Sequence, residues 1–379
     1  MDMHALWSGE RFSVTYRIVG DEREARERAE GVSLEQTVEL PADLVPDGDI
    51  RDHVVGRIES FRPVDARRFD ATISYAVETS GFELPQLINL IFGNSSYQPG
   101  IRVEALALPD SLLRCFKGPR FGRDGLRDLL GAPDRPLLAT ALKPMGRSAA
   151  DLADLAYRLA LGGIDIVKDD HNLANQPFAP FRERVVCCAD AIRRANAKTG
   201  GRSIYVPHVS GPADQLMERA RFAREAGAGG LLVMTGLVGW DMLRCLADDD
   251  RIALPVVSHP AFLGSFVTGA DRGVAPAVLL GQLPRLAGAD VTLFANYGGR
   301  FDVSRSDCMG IATSTAAPMK NIRPIFPGPA GGMHLANVPS MIEVYGRDVV
   351  LLMAGGLYKA GPDLVENCRR FRELAQTPG

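Results

Sequence analysis

Ile164-Asp165-Ile166-Val167-Lys168-Asp169-Asp170-His171 is an apolar run that ends in four ionisable residues. Near-continuous Ile and Val is what a parallel strand needs when both of its faces are covered. Seven further runs share that character: residues 136–142, 203–208, 230–234, 254–258, 291–295, 322–327 and 349–354. Amphipathic segments separate them, such as 149–161 and 212–226. In the second, Leu216, Ala220, Phe222 and Ala223 share a face, and Gly227 stands where a C-terminal cap belongs. Eight alternating units predict a (β/α)8 TIM barrel. A doubly wound sheet, the alternative, would want a glycine-rich phosphate loop after its first strand, and none is there.

Upstream of residue 131 the pattern changes. Phe12-Ser13-Val14-Thr15-Tyr16-Arg17-Ile18 alternates as a half-buried strand does. Residues 52–61 and 69–77 read as further strands, 22–28 and 81–90 as helices, and 123–130 as a helix after a linker rich in Gly and Pro. The expectation is therefore two domains in an α/β chain: 1–130, a smaller α+β module of ferredoxin-like kind, and 131–379, the barrel carrying the active site. A chain of 379 residues suits that division.

Composition narrows the function classes. Hydrophobic residues make up 46% and charged residues 23%, so a core is easily built. The net charge of −3, with Lys and Arg scattered, offers no field for nucleic acid. Six cysteines form no CxxC pair, which suits free thiols in a reducing compartment. Met1-Asp2-Met3-His4 has no basic or apolar leader character, and no apolar run approaches a membrane span. The expectation is a cytoplasmic enzyme acting on a small molecule.

Active sites of such barrels lie just past the C-terminal ends of the strands. The positions there are Lys143; Lys168, Asp170 and His171; His208; Thr235; His259; Asn296; 328–332; and Gly355 with Gly356. Lys168 and Asp170 face the same side of a strand, and Asp170 with His171 could ligate a divalent ion. A strand end making salt bridges to its loops is the other reading. Gly331-Gly332 and Gly355-Gly356 follow the seventh and eighth strands, where backbone N–H groups commonly hold phosphate; two tight turns would look alike. His259 and His208 suit either substrate contact, acid–base work or structural hydrogen bonding. Lys143 suits proton transfer or a solvated charge.

At this point the chain resembles the RuBisCO large-chain superfamily. Gly162-Gly163-Ile164-Asp165-Ile166-Val167-Lys168-Asp169-Asp170-His171-Asn172 is similar to that family's metal-site motif, and Asn175-Gln176-Pro177-Phe178 with Arg182 continues it. Ala141-Leu142-Lys143-Pro144, Gly331-Gly332-Met333-His334, Gly355-Gly356, Phe92-Gly93-Asn94 and Ala29-Glu30 match further motifs in the family's order. The resemblance implies a homodimer in which Asn94 and Glu30 of one subunit reach the other's site. It implies CO2 bound as a carbamate on Lys168, and Mg²⁺ held by that carbamate, Asp170 and His171. Lys143 would move protons, and Gly331, Gly332, Gly355 and Gly356 would hold a phosphate.

The departures from the family pattern share a direction. His171 stands where the third ligand is glutamate, Met145 where a second lysine is usual, and Pro260 where an arginine meets a second phosphate. Leu293 and Ala330 replace a histidine and a serine of that same phosphate site, and Arg300 aligns with the mobile-loop lysine. A bisphosphate would leave uncompensated charge at the stripped end. The chain therefore resembles the form IV, RuBisCO-like branch, with a single-phosphate substrate. Among that branch's reactions, decarboxylation of 3-oxo-isoapionate 4-phosphate fits best, because loss of CO2 itself delivers the enediolate without a strong base; Lys143, Lys168, His259 and Arg300 would be its catalytic residues. Enolisation or isomerisation of a methylthio-pentulose phosphate, as in methionine salvage, is the alternative. A non-catalytic sugar-phosphate-binding relative is the reading from another class.

Overall fold

The computed structural model describes residues 6–376; the N-terminal Met1-Asp2-Met3-His4 lies outside the described residues. The chain divides into two compact units. One runs up to Phe116 and takes in Leu263–Leu279 and Pro318–Asn321; the other comprises Lys117–Phe262, Leu280–Ala317 and the chain from Ile322 onward. No helix of the described residues is long and apolar enough to cross a membrane.

The first unit is built on β1 (Arg11–Val19), β2 (Arg57–Pro63), β3 (Arg68–Ala76) and β4 (Ile101–Ala107). They pair antiparallel in the order β4-β1-β3-β2. With helices Glu22–Glu35 and Leu84–Phe92 between the first two and last two strands, this is the ferredoxin-like βαββαβ arrangement. β1 alternates without a break and buries Phe12, Val14, Tyr16 and Ile18. The strand expected at 52–61 starts only at Arg57. Residues Ile50–Val54 form a π-helical turn instead, because Asp52-His53-Val54-Val55 does not alternate and the Val55 amide bonds locally to the Ile50 carbonyl (3.2 Å).

The second unit contains all eight expected strands: β5 (Leu137–Leu142), β6 (Ile166–Asp169), β7 (Ile204–Val206), β8 (Leu231–Val233), β9 (Val256–Ser258), β11 (Val291–Ala295), β12 (Phe326–Ala330) and β13 (Val350–Leu352). The two-residue β10 (Gly273–Val274) belongs to the first unit's sheet, beside β4. The eight are parallel, in the order β7-β6-β5-β13-β12-β11-β9-β8. The ends of that order meet: the Leu232 amide donates to the Pro207 carbonyl (2.9 Å) and the Val209 amide to the Leu232 carbonyl (3.1 Å), which closes the barrel. One strand is displaced from its expected position. β12 begins at Phe326 rather than 322, because the Ile322 and Arg323 carbonyls accept from the Arg285 guanidinium and are not free for a ladder.

Every barrel strand sends a residue into one interior cluster: Leu137 and Ala139, Ile166, Val206, Leu232, Val257, Val291 and Leu293, Phe326, and Val350 with Leu352. Leu126, Leu130 and Ala132, from and just past the helix Gly122–Leu130, join it. Strand side chains repeat every second residue. The alternation that buries Ile166 therefore turns Lys168 and Asp170 to the inside as well. The same count takes Ala139 to Lys143, Val206 to His208 and Val257 to His259. An apolar layer and, above it, an ionisable layer are two readings of one parity.

At the other end of β6, Asp165 accepts from the Leu138 amide (2.8 Å) and from both terminal nitrogens of Arg135 (2.6 Å each). Gly163, at φ +89°, makes the turn into that strand from the helix Ala149–Leu161. Removing one partner of a buried ion pair strands the other. Asp165→Asn should lower unfolding stability by about 3 kcal/mol in urea denaturation. A loss under about 1 kcal/mol, the worth of an exposed pair, would contradict this account of the turn.

Candidate active site

The inward residues of β5, β6 and β9 form one polar cluster at the C-terminal mouth of the barrel. Lys168 is 3% exposed, and its ammonium donates to the Asp169 carbonyl (3.0 Å). Burial, opposed by Asp170 and assisted by the like charge of Lys143, pushes its pKa down to about 8. Lys143 reaches over from β5, in register beside β6, and its ammonium contacts the Asp170 carboxylate. Burial works against the charge of Asp170, but the Lys143 contact and the Asn172 amide (3.0 Å) outweigh it and hold this carboxyl below its ordinary value. His171 stands half-buried with Nδ1 3.5 Å from Asp170.

The His171 ring stacks on His259, with centroids 4.6 Å apart and planes 19° from parallel. Burial, then the Lys168 charge, pushes His259 far below the usual histidine value, and burial lowers His171 and His208 too. His259 Nδ1 accepts from the Ala261 amide (3.1 Å), so its ring proton sits on Nε2. A neutral ring in that tautomer is a hydrogen-bond donor to whatever lies in the mouth, not a ready base. His208 has the opposite tautomer: Nδ1 donates to the Leu173 carbonyl (2.7 Å), and its buried Nε2 is left without a partner.

The outward residue of the motif was not singled out by the sequence reading. Asp169 is fully buried and accepts from Arg184 Nε (3.1 Å), the Tyr205 hydroxyl (2.7 Å) and the His208 amide (3.0 Å). It ties the end of β6 to the helix Phe181–Thr199 and to β7, and so fixes the residues on either side of it. The only sequence signal was one more carboxylate inside an apolar strand.

The glycine loops lie where the sequence placed them. Gly331 and Gly332 follow β12 with positive φ, and Gly355 opens the short helix Gly355–Lys359 after β13. A Cβ on Gly332 would meet Gly299 Cα at 2.7 Å, and one on Gly356 would meet the Met333 carbonyl oxygen at 2.3 Å, so both serve close backbone approach within the protein. A Cβ on Gly355 would meet nothing within 4 Å. Arg300 is exposed on the loop after β11, its guanidinium 4.8 Å above the Phe301 ring.

Lys143, Lys168, Asp170, His171 and His259 are thus brought together. Among the described residues no group of three His, Cys, Asp or Glu side chains could hold a metal ion unaided. In the first unit, Glu30 is exposed on the helix Glu22–Glu35, not in a loop. The Asn94 side chain donates to Glu35 (3.0 Å) and Glu39 (3.2 Å).

Residues 123–361 match the family described as ribulose bisphosphate carboxylase large chain, catalytic domain. The chain is 38% identical to 5-methylthioribulose-1-phosphate isomerase of Rhodospirillum rubrum, over 96% of this chain and 95% of that protein. It is 34% identical to 2,3-diketo-5-methylthiopentyl-1-phosphate enolase of Geobacillus kaustophilus, over 94% and 89%. Its structure is similar to the crystal structure of a Rubisco-like protein from Rhodopseudomonas palustris (TM-score 0.87, 39% identity, 96% and 97% covered). It is also similar to the dimeric archaeal Rubisco of Hyperthermus butylicus (TM-score 0.89, 26% identity, 97% and 90% covered).

The depressed histidines set a pH dependence. A histidine with a folded pKa below its unfolded value of about 6.5 costs stability as pH falls through that value, since the unfolded chain then binds more protons. In the metal-free protein, His259 should show no ring titration between pH 5 and 8 by NMR, and Lys168→Met should raise its pKa only partly, burial being the larger cause. A ring titrating near 6.5 would contradict the packing described for the mouth.

Proposed function

The chain belongs to the ribulose bisphosphate carboxylase large-chain family, and from that premise we propose that it is a RuBisCO-like enzyme of methylthio-pentulose monophosphate chemistry, not a carboxylase. Its named relatives are an isomerase and an enolase. They favour the methylthio reading over decarboxylation of a 3-oxo sugar-acid phosphate. Isomerisation is preferred to enolisation because the isomerase is the more similar of the two over nearly full length. The observation that carries the enzyme reading is the joint presence of Lys143, Lys168 and Asp170 in one buried cluster at the barrel mouth. A sugar-phosphate-binding protein without catalysis would have no use for a second lysine buried beside the Lys143–Asp170 pair.

Mg²⁺ and CO2 enter through the family. Lys168 as a carbamate, Asp170 and His171 are the residues that would hold the ion. The donor set fits on one condition. Two protein ligands are present, and the third has to come from Lys168. Only an uncharged amine adds CO2, with loss of a proton, to give a carbamate; a lysine at about 8 supplies that form near neutral pH. The bound ion would stabilise negative charge on adjacent substrate oxygens. Lys143, its ammonium at the Asp170 carboxylate and its side chain 40% exposed, is the group placed to move a proton at the substrate carbon. His259 offers Nε2–H to a substrate oxygen, and Arg300 offers a cation on a loop. Backbone N–H groups at Gly331, Gly332, Gly355 and Gly356 would receive the single phosphate.

By the same family reading the working unit is a homodimer, with Asn94 and the glutamates it holds, Glu35 and Glu39, presented to a partner's site. Glu30, exposed on the same helix as Glu35, is the further acidic residue proposed for that role.

Purified enzyme with Mg²⁺ and bicarbonate should interconvert or enolise a methylthio-pentulose monophosphate and release no CO2 from a 3-oxo sugar-acid phosphate; the reverse result would restore the decarboxylase reading. Lys168→Ala should abolish metal-dependent turnover, and unchanged activity would remove Lys168 from the site. The β-carbon that Gly355→Val adds meets no atom within 4 Å, so the variant should fold and raise KM roughly tenfold or more with little change in kcat; an unaltered KM would move the phosphate elsewhere.

A further inference from the structure

Exposed large apolar side chains ring much of the barrel mouth, Met145 after β5 (50% exposed) and Phe301 after β11 (51%) among them, and spare the glycine loops. Across the mouth from the glycine loops, the strand order puts β7 and β8, flanked by β6 and β9. On that side the loops carry exposed large apolar side chains: Phe178 after β6, Leu237 after β8 (56% exposed) and Phe262 after β9 (69%). The loops after β12 and β13 carry no exposed large hydrophobic residue among those described before the next helix. Exposed apolar area gathered at a pocket mouth signals a binding surface.

Phe262 has a second peculiarity. It lies at φ +72°, a conformation that costs a bulky L-residue strain. It sits three residues past His259, whose Nδ1 is bonded by the amide of Ala261, its chain neighbour. Pro260 in the same turn offers no N–H and no charge. The turn thus holds an aromatic ring in solvent, in a strained conformation, beside the residue that stacks on His171.

We propose that Phe262, with Leu237 on the neighbouring β8 loop, is the specificity-determining surface for the unphosphorylated end of the substrate, and that it takes an alkyl or alkylthio group. The inference rests on the monophosphate reading above and deepens it. Phosphate is fixed at β12 and β13, the reacting carbons lie over Lys168 and Asp170, and the tail crosses to β8 and β9. There an apolar group is desolvated against an aromatic ring, and a hydroxyl or second phosphate would lose its water without a partner. Discrimination of this kind follows the size and polarity of the tail.

The test compares three ligands on the wild type, Phe262→Ala and Phe262→Arg: inorganic phosphate, the methylthio-pentulose phosphate, and its analogue with hydroxyl in place of methylthio. Calorimetry reads binding and steady-state kinetics reads KM and kcat. The wild type should prefer the methylthio compound over the hydroxyl analogue by roughly tenfold or more. Phe262→Ala should bring that ratio close to one through KM, with kcat and phosphate affinity unchanged. Phe262→Arg should favour the hydroxyl analogue. A preference that survives both substitutions overturns the inference while leaving the monophosphate reading intact. Failure of the wild type to bind either sugar phosphate overturns that reading instead. Sedimentation of the same proteins supplies the last arm: if Phe262→Ala turns a dimer into a monomer, the ring is a subunit contact and the inference is wrong.

Discussion

Lys168 and Asp170 sit two residues apart on the inner face of one strand, both nearly inaccessible to water, and the structure of the mouth follows from having to accommodate them. A buried carboxylate needs a cation and a buried amine resists its charge. The chain meets the first need with Lys143 from β5 and the second by letting Lys168 fall toward neutrality. His171 and His259 complete the layer as neutral, stacked rings, which add polar atoms without adding charge. Asp169, facing outward between them, is held by Arg184, Tyr205 and the His208 amide, so the strand end cannot twist to expose its neighbours.

Much of this was legible in the sequence because one physical rule, side-chain alternation, governs both core and site. All eight barrel strands were visible as apolar runs, and the residues just past them were the ones gathered at the mouth. The misplaced seventh strand shows where the rule stops. Residues 322–325 are apolar enough to be a strand, but Arg285 claims the Ile322 and Arg323 carbonyls and Arg123 those of Pro324 and Ile325, a tertiary effect that no local pattern carries. The turn at Ile50–Val54 is the same lesson at smaller scale. The hydrogen bonds that join Asn94 to Glu35 and Glu39 were likewise beyond any local pattern, since more than fifty residues separate them. The strained Phe262 was invisible, since nothing in His-Pro-Ala-Phe announces a positive φ.

The substitutions that set this chain apart from the wider family pattern act together. By the family resemblance, His171 would lower the negative charge around a bound ion, Met145 would remove an ammonium, and Pro260 would remove a cation from the side opposite the glycine loops. What the structure shows at the mouth is a buried charged centre, Lys168 and Asp170 with Lys143, between glycine loops on one side and the exposed Leu237 and Phe262 on the other. The isomerase and the enolase it is similar to are named for 5-methylthioribulose-1-phosphate and 2,3-diketo-5-methylthiopentyl-1-phosphate.

The central claim is that burial lowers the Lys168 pKa enough for its amine to lose a proton and take up CO2, and ¹³C NMR of the protein with labelled bicarbonate and a divalent ion tests it most directly. A slowly exchanging carbamate resonance should grow as pH rises through about 8, strengthen with the metal ion, and be absent in Lys168→Arg. Tight metal binding with no carbamate signal at any pH would contradict the account.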